Sequence, residues 1–368
     1  MFAFFVTRYY HKITIGGKIM NRRGKKILYR VWMEEWLNEK KNYVKESTYA
    51  NYSNIVYNHL IPQLGNYRLR DIDNQMLQRL IINKYQSGRM DNNGGLSDKT
   101  VKDIGTVIKL SLKSAMKSNL IDYIDLDFYY PKKDNNIRMY IFNKDEQKQI
   151  ICYCLNNLNL ITLGILLSLY SGIRIGELCA LKWKDIDFKK NILRINKTIQ
   201  RIYVKEKKKS KVIITTPKTK NANREIPINR DFAILLRQFK INNDYYFLTN
   251  RAKCMEPRTF RRHYYTMINK MGINSITFHS LRHTFASNCI RLGVDYKTVS
   301  ELLGHASVNI TLNIYVHPQM SEKKKCINLI YRENNDILSE EINLPNEVNL
   351  PDEVNIFSNE QEIFISEQ

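Results

Sequence analysis

The sequence contains few cysteines and no long hydrophobic run, and each absence argues against a class of protein. Its six cysteines show no CxxC spacing and no disulfide framework, which indicates reduced thiols in a cytoplasmic protein. The longest apolar runs, such as residues 161–170, reach ten residues, and a membrane span needs about 20. The apolar start of the chain lacks a basic region and a small-residue cleavage site, so no signal peptide is predicted.

Acidic residues are scarce until the C-terminal end of the chain. The 368 residues include 58 Lys and Arg against 36 Asp and Glu, giving a net charge of +22. Residues 333–368 hold ten acids and no Lys or Arg, so residues 1–332 carry +32 (22 plus 10). This excess predicts a polyanionic partner, because basic surface attracts phosphate and releases its counterions. Nucleic acid is favoured over an anionic membrane surface, and no membrane partner is expected.

The length predicts two domains with tails. Residues 1–28 form a basic N-terminal extension, for which an extra DNA-binding piece, a loose basic arm and a translation artefact all stay open. Residues 29–125 have helical periodicity and predict a small all-α domain. Residues 126–142 are a polar, basic linker, and residues 143–331 form the second domain. Residues 332–368 are an acidic, Asn-rich tail that we expect to be disordered.

Start and stop signals predict the elements of the first domain. Four helices are expected there: one through Val31–Leu37, one after Ser47 that ends at Pro62, one capped by Asp73, and one over Asp98–Asn119 capped by Ser97.

The second domain changes from helix to strand and back to helix. Asn143 and Glu146 predict a capping box for a helix over Lys144–Asn156. β-Branched residues predict strands over Asn191–Tyr203 and Lys211–Thr216, joined by a basic hairpin tip. The other predicted helices cover Leu158–Tyr170, Arg230–Lys240, Pro257–Met271, His279–Leu292 and Tyr296–Leu303. The predicted fold class is mainly α with a small antiparallel β-sheet.

Five side chains in the second domain carry the candidate chemistry. His279 and Arg282 lie three residues apart at a predicted helix start, so both project from one face. Arg174 follows a glycine at a loop-to-helix turn, and His305 follows a glycine at a helix end. Tyr315 ends a short amphipathic segment.

These residue types are the ones that cleavage of a phosphodiester without a metal requires. The fork of an arginine matches two phosphate oxygens at once and neutralises their charge. Histidine donates a hydrogen bond or moves a proton near neutral pH. Tyrosine is a covalent nucleophile, and a lysine of lowered pKa can protonate the leaving oxygen.

A metal site and a purely structural role are the alternatives for these residues. His279 and His283 have the spacing of a helical zinc pair, but Ser280 stands where a metalloprotease has glutamate, so no metal is expected. Each residue alone is more often structural, and Tyr315 is one of 23 tyrosines. The specificity therefore lies in the joint pattern and its order.

The short motifs of these segments resemble those of the tyrosine recombinase (phage integrase) family, and the resemblance extends over about residues 29–331. The motifs are GIRIGEL at 172–178, HSLRH at 279–283, LGH at 303–305 and NIY at 313–315. The resemblance implies six catalytic residues, with the tyrosine as nucleophile: Arg174, Lys218, His279, Arg282, His305 and Tyr315. Lys220 is so close to Lys218 that the choice of lysine stays open, and Glu177 is implied as a support residue.

The resemblance also implies a mechanism and partners. A C-shaped clamp would grip double-stranded DNA, and Tyr315 would form a 3′-phosphotyrosyl bond without metal, ATP or another cofactor. The enzyme would act as a homo-tetramer on synapsed DNA and be a monomer or weak oligomer when free. An accessory DNA-bending or excision factor is a further expected partner, and the place of action is the bacterial cytoplasm or nucleoid. A helix around Cys326–Tyr331 would dock on a neighbouring protomer or on its own domain.

Several functions are compatible with this resemblance. Integration and excision of a mobile element or prophage is the favoured one. Xer-like dimer resolution and DNA inversion use the same chemistry, as does a type IB topoisomerase that works as a monomer. A DNA-binding protein without catalysis is the alternative from another class. The acidic tail is expected either to compete with DNA for the basic surface or only to solvate the chain.

Overall fold

The computed structural model describes residues 27–89, 94–131, 140–204, 209–216, 220–273, 276–315, 320, 324 and 327–332. The chain divides after Ile310 into two compact units, residues 1–310 and 311–368. The predictions for the N-terminal extension, the hairpin tip, Lys218, the segment at Cys326 and the acidic tail lie wholly or partly outside the described residues.

The first part of the larger unit is helical, as predicted. In chain order its α-helices are α1 (Tyr29–Lys40), α2 (Glu46–Ile55), α3 (Ile61–Leu64), α4 (Asn74–Ser87) and α5 (Asp98–Lys117). The two predicted N-caps are confirmed, because Asp73 accepts a hydrogen bond from the Met76 amide at 2.7 Å and Ser97 accepts one from the Thr100 amide at 3.3 Å.

The prediction that Pro62 ends the second helix was wrong. A π-helical turn, Val56–Leu60, follows α2 and leads directly into α3. Pro62 stands in the first turn of α3, where its missing N–H is not needed for an intrahelical hydrogen bond. The chain therefore continues as helix through the proline to Leu64.

One hydrophobic core holds these helices together. It includes the fully or nearly fully buried side chains of Tyr29, Trp36 and Ile108. Leu126 and Phe128, which follow α5, are also 6% exposed and belong to this core. The chain beyond the last helix is thus packed on the helical part before it continues toward residue 140.

The second part of the larger unit mixes helices with two small sheets. In chain order its elements are α6 (Lys144–Asn156), α7 (Leu160–Ser171), α8 (Ile175–Ala180), β1 (Ile186–Asp187), β2 (Ile192–Ile195), β3 (Thr198–Val204), β4 (Lys209–Thr215), β5 (Arg224–Pro227), α9 (Arg230–Gln238), α10 (Pro257–Lys270), α11 (His279–Arg291) and α12 (Tyr296–Leu303). The predicted capping box is confirmed, since Asn143 and Glu146 exchange both hydrogen bonds.

The predicted strand Asn191–Tyr203 is two strands. β2 lies between β1 and β5 in a three-stranded antiparallel sheet, while β3 pairs with β4 in a separate hairpin. The chain leaves the first sheet at Asn196 and Lys197, where the Lys197 ammonium lies 3.4 Å from the carboxylate of buried Asp185.

A second core lies beneath these elements. Helix α7 is at its centre, because its residues from Thr162 to Leu169 are all buried. Trp183 packs edge-on against Phe247, with ring centroids 4.9 Å apart. Among the described helices, none is both long enough and apolar enough to cross a membrane.

The helical part contacts the β3–β4 hairpin. The Lys211 ammonium lies 3.2 Å from Glu46, at the start of α2. The Lys45 ammonium donates to the Thr216 carbonyl at 3.4 Å. Both contacts lie on strand β4 or directly after it.

The smaller unit contains the end of one helix and a short helical segment. Helix α13 (Val308–Tyr315) begins before the division and ends at Tyr315. Residues 327–332 are helical, and Ile327, Leu329 and Tyr331 are at least 65% exposed. Docking of this segment on a neighbouring protomer stays a prediction.

Candidate active site

The candidate site is built on the C-terminal end of α12. The last carbonyls of a helix have no intrahelical partner, and the helix end carries partial negative charge. Here three arginines donate to three consecutive carbonyls: Arg224 to Leu302 at 2.6 Å, Arg282 to Leu303 at 2.6 Å and Arg174 to Gly304 at 3.3 Å. One helix end thus gathers three guanidinium groups from three separate parts of the sequence.

Arg174 reaches this place because of the turn before α8. Gly172 ends α7 in the left-handed region, with φ of 64°, and reverses the chain direction. A Cβ at Gly172 would lie 2.6 Å from Phe285 and 2.8 Å from Leu303, so the turn is also tightly packed. Arg174 then stands at the N-cap of α8, half-buried, with its guanidinium directed to the Gly304 carbonyl.

Arg282 fastens the two turns of the site together. It lies one turn into α11 and is 2% exposed. Its guanidinium donates to the Gly172 carbonyl at 2.7 Å and to the Leu303 carbonyl at 2.6 Å. The same side chain therefore fixes the turn that precedes Arg174 and the turn that precedes His305.

Glu177 is a buried carboxylate between two of the arginines. Arg174 donates to it from its backbone N–H at 3.0 Å and its guanidinium at 2.9 Å, and Arg224 donates at 2.9 and 3.2 Å. Burial alone would raise the pKa of Glu177, but the hydrogen bonds and charges of Arg224 and Arg174 outweigh burial and lower that pKa. Glu177 is therefore ionised at neutral pH and orients Arg174.

Three histidines surround the arginines, and all are neutral at neutral pH. Burial, followed by the charges of Arg282 and Arg174, lowers the pKa of His279 to about 4 and that of His305 to about 4. His305 is 8% exposed, whereas His279 keeps an exposed edge. The rings of His279 and His283 meet edge to face with centroids 4.6 Å apart.

The structure brings four of the six predicted residues together. Arg174 and Arg282 meet at the end of α12, and His305 follows one residue later. His279 is on the first turn of α11 with Arg282, close enough for the charges of both arginines to lower its pKa. Glu177, the predicted support residue, contacts Arg174 directly.

The other two predicted residues are Lys218 and Tyr315. Lys218 lies outside the described residues, and Lys220 begins the 3-10 turn Lys220–Ala222. Tyr315 is half-buried and is the last residue of α13, in the smaller unit. The described residues contain no group of three or more His, Cys, Asp or Glu placed to hold a metal ion.

Two contributors to the site were missed in the sequence. The side chain of Arg224 is 6% exposed and binds both Glu177 and the end of α12. Asn221 donates to the His305 carbonyl at 3.2 Å. Arg224 is one of 58 basic residues in a chain rich in them, so its type alone carried no signal. Its distinguishing feature in the sequence was its position shortly after Lys218 and Lys220.

The arrangement presents fixed positive charge beside neutral imidazoles. Such a site neutralises an anion with two non-bridging oxygens, since each guanidinium offers several N–H groups in a rigid fork. The neutral rings donate or accept hydrogen bonds without adding charge.

Two family profiles match the chain. The profile described as Phage integrase family matches residues 141–322. The profile described as Phage integrase, N-terminal SAM-like domain, matches residues 29–85.

Individual relatives match most of the chain or less than half of it. The ICEBs1 integrase of Bacillus subtilis is 26% identical over 294 residues, which are 76% of each chain. A tyrosine recombinase XerC-like protein of Caldanaerobacter subterraneus is 34% identical over 182 residues, covering 44% of this chain and 46% of that protein. The chain thus spans about half the length of that XerC-like relative.

A solved structure shares the fold over most of the chain. The Tn1549 transposon integrase in complex with a circular intermediate DNA superposes with a TM-score of 0.68 at 19% identity. The superposition covers 83% of this chain and all of that one. The predicted fold class, mainly α with small antiparallel sheets, is confirmed.

Proposed function

Since this chain belongs to the phage integrase family of tyrosine recombinases, we propose that it is a site-specific DNA recombinase. It cuts and rejoins DNA through a 3′-phosphotyrosyl intermediate and serves to integrate and excise a mobile element or prophage. The observation that carries the proposal is the convergence of Arg174 and Arg282 on adjacent carbonyls at the end of α12. That convergence fixes two phosphate-binding groups next to His305.

The two arginines would neutralise the scissile phosphate. Preorganised donors aimed at developing charge contribute most when they need no reorganisation during the reaction. Arg282 is buried and held by two carbonyls, and Arg174 is held by Glu177 and Gly304. Both guanidiniums are therefore in place before DNA binds.

The histidines would act as hydrogen-bond donors to the phosphate. In the free protein the lowered pKa values keep His279 and His305 neutral. A bound phosphate brings negative charge between the arginines and raises both pKa values toward the ordinary range. Each ring then donates an N–H to a phosphate oxygen, and one of the two rings takes up the single proton of the attacking hydroxyl.

Tyr315 is proposed as the nucleophile and Lys218 as the general acid. The Tyr315 oxygen forms a bond to phosphorus, and the bond from phosphorus to the 5′-oxygen breaks. Lys218 gives its proton to that oxygen, which leaves as a 5′-hydroxyl, and religation reverses these steps. The phosphate ester energy is kept in the tyrosyl link, so no ATP is consumed. Lys220 is the alternative to Lys218.

Double-stranded DNA is the proposed partner. The charge of +32 on residues 1–332 supports it, because neutralising phosphates releases condensed counterions. In this proposal residues 29–125 form the core-type DNA-binding domain and residues 143–331 the catalytic domain. Residues 126–142 link them, residues 1–28 are a basic extension, and residues 332–368 are an acidic tail.

The assembly and place of action are part of the same proposal. The protein is monomeric or weakly associated when free and forms a tetramer on synapsed DNA. It acts in the bacterial cytoplasm or nucleoid, with an accessory DNA-bending or excision factor that sets the direction of recombination.

Element integration is favoured over Xer-like resolution. The likeness to the ICEBs1 integrase spans 76% of both chains, whereas the likeness to the XerC-like protein spans less than half of either. Resolution remains the second candidate, because the identity over that shorter region is higher, 34% against 26%. Two recombination assays separate the two functions. Resolution predicts recombination between two copies of a mapped site on one plasmid, and integration predicts recombination between an element end and a chromosomal site.

A suicide-substrate assay tests the proposed chemistry. Nicked duplexes from the DNA that flanks the gene, and then genomic fragments, are incubated with the protein in EDTA. A denaturing gel reports the covalent adduct, and mass spectrometry maps it. We expect an adduct at Tyr315, no adduct with Tyr315→Phe, and a full adduct with the control Tyr296→Phe, whose side chain is 40% exposed at the start of α12. Equal adduct in the wild type and Tyr315→Phe would refute the assignment.

Two outcomes point to the other functions. DNA binding without any adduct on flanking or genomic fragments would favour a non-catalytic DNA-binding protein. An adduct without a synaptic tetramer, when sedimentation is measured on DNA with two sites, would favour a type IB topoisomerase-like enzyme.

A further inference from the structure

Arg224 stands apart from the six proposed catalytic residues and yet contacts both Glu177 and the end of α12. Its Nε donates to the Leu302 carbonyl at 2.6 Å, and its guanidinium nitrogens donate to both oxygens of Glu177 at 2.9 and 3.2 Å. It also donates to the Ala222 carbonyl at 3.3 Å. A Cβ added to Gly304 would lie 3.0 Å from the Arg224 side chain.

We infer that Arg224 is a positioning residue that keeps Arg174 available for the phosphate by sharing the Glu177 carboxylate with it. The inference rests on the proposed function. It concerns a residue that does not touch DNA in this proposal and acts only through Glu177 and the end of α12.

The charges of the site support this role. Glu177 is 4% exposed, and a buried carboxylate demands positive charge and hydrogen bonds. With Arg224 present, four donated hydrogen bonds reach Glu177, and only two of them come from Arg174. Without Arg224, Arg174 alone would compensate the negative charge of the Glu177 carboxylate. Its guanidinium would then be drawn toward Glu177. The scissile phosphate would then lose one of its two arginines.

The position of Arg224 in the chain adds a second effect. It opens β5, directly after the segment that holds Lys218 and the turn Lys220–Ala222. Its bonds to Ala222, Glu177 and Leu302 connect the end of that segment with α8 and α12. A single planar guanidinium makes these bonds at once, which a lysine cannot do.

The first test is Arg224→Lys, measured by single-turnover cleavage of the suicide substrate and by the Kd for the same duplex. We expect cleavage to slow about 10- to 100-fold, because small misplacements in a site cost that much. The Kd should stay within about threefold of the wild-type value, since the charge is kept and phosphate contacts dominate affinity. The control is Arg194→Lys, which alters an arginine on neighbouring β2 that binds Asp187 and Glu225. It should cleave at the wild-type rate.

A second pair of variants distinguishes positioning from simple support of the fold. Arg224→Met should cleave more slowly than Arg224→Lys. Adding Glu177→Gln to Arg224→Met removes the charge that draws Arg174 away, so the double variant should cleave at least about fivefold faster than Arg224→Met. A residue that only supports the fold would show no such rescue.

Each outcome decides a claim. Wild-type cleavage by Arg224→Lys would overturn the inference, and this variant decides alone if Arg224→Met does not fold. A slow Arg224→Met without rescue in the double variant would overturn it as well. If the wild-type protein itself forms no adduct on any substrate, the proposed function fails, and the inference falls with it.

Discussion

The substitution Arg282→Lys examines the centre of the site most directly. Arg282 is 2% exposed and donates to the carbonyls of Gly172 and Leu303 at 2.7 and 2.6 Å. Lysine keeps the positive charge but has one ammonium group, which cannot reach both carbonyls. One carbonyl would therefore lose a charged donor inside the protein.

The expected loss of stability follows from the number of hydrogen bonds that the substitution removes. A hydrogen bond to a charged group contributes about 1.5–3 kcal/mol, and an unpaired buried carbonyl adds a desolvation penalty. We expect a loss of about 2–4 kcal/mol from a total stability of about 5–15 kcal/mol. For a domain of 150–250 residues this lowers the Tm by about 4–16 °C.

Thermal unfolding followed by circular dichroism measures this loss. The matched control is Arg291→Lys, at the exposed end of the same helix, which should change stability by less than about 0.5 kcal/mol. In the adduct assay Arg282→Lys should be inactive at temperatures where it is still folded, because lysine lacks the fork that binds two phosphate oxygens. A Tm within about 1 °C of the wild type would refute the idea that Arg282 holds the two turns together.

Three further predictions concern stability. Gly172→Ala should lower the free energy of unfolding by at least about 2 kcal/mol, because the new methyl group makes contacts of 2.6 and 2.8 Å on a left-handed backbone. Gly293→Ala is the control, since Gly293 is also left-handed but has open space around it, and it should lower that free energy by about 1 kcal/mol. Denaturant unfolding measures both variants. Asn143→Ala removes the cap of α6 and should cost about 1 kcal/mol in the same assay, and a loss below about 0.3 kcal/mol would contradict the capping role. The pKa of His305 is lowered to about 4 in the folded protein, so the unfolded chain binds the extra proton and His305 should contribute a loss of stability of up to about 3 kcal/mol as pH drops from about 6.5 to 4. His305→Gln should reduce the slope of stability against pH without abolishing it, because the pKa values of His279 and His283 are also lowered to about 4; an unchanged slope would refute the role of His305.

The helices of the chain were predictable because their signals are local. Caps such as Asp73, Ser97 and Asn143 satisfy amides within three residues, so the sequence alone contains both partners. Helix continuation through Pro62 was not predictable in this way. It depends on a π-helical turn that changes the hydrogen-bond register just before the proline.

The division of the predicted strand Asn191–Tyr203 into two strands could not be predicted from the sequence either. β-Branched residues stand on both sides of the break, at Ile195 and Thr198. What separates β2 from β3 is their pairing with different strands and the contact of Lys197 with buried Asp185. These partners are far enough away in the chain that only the folded structure brings them together.

The sequence by itself predicted which side chains form the candidate site, because these side chains lie in short, recognisable segments. Arg174, His279, Arg282 and His305 were all predicted from such segments. Only the tertiary structure decided how they are held. Three arginines converge on carbonyls 302–304, and Arg224 shares Glu177 with Arg174. The reason is physical. The unpaired carbonyls of a helix end and a buried carboxylate bind guanidinium groups that lie near them, and long-range packing decides which arginines lie there.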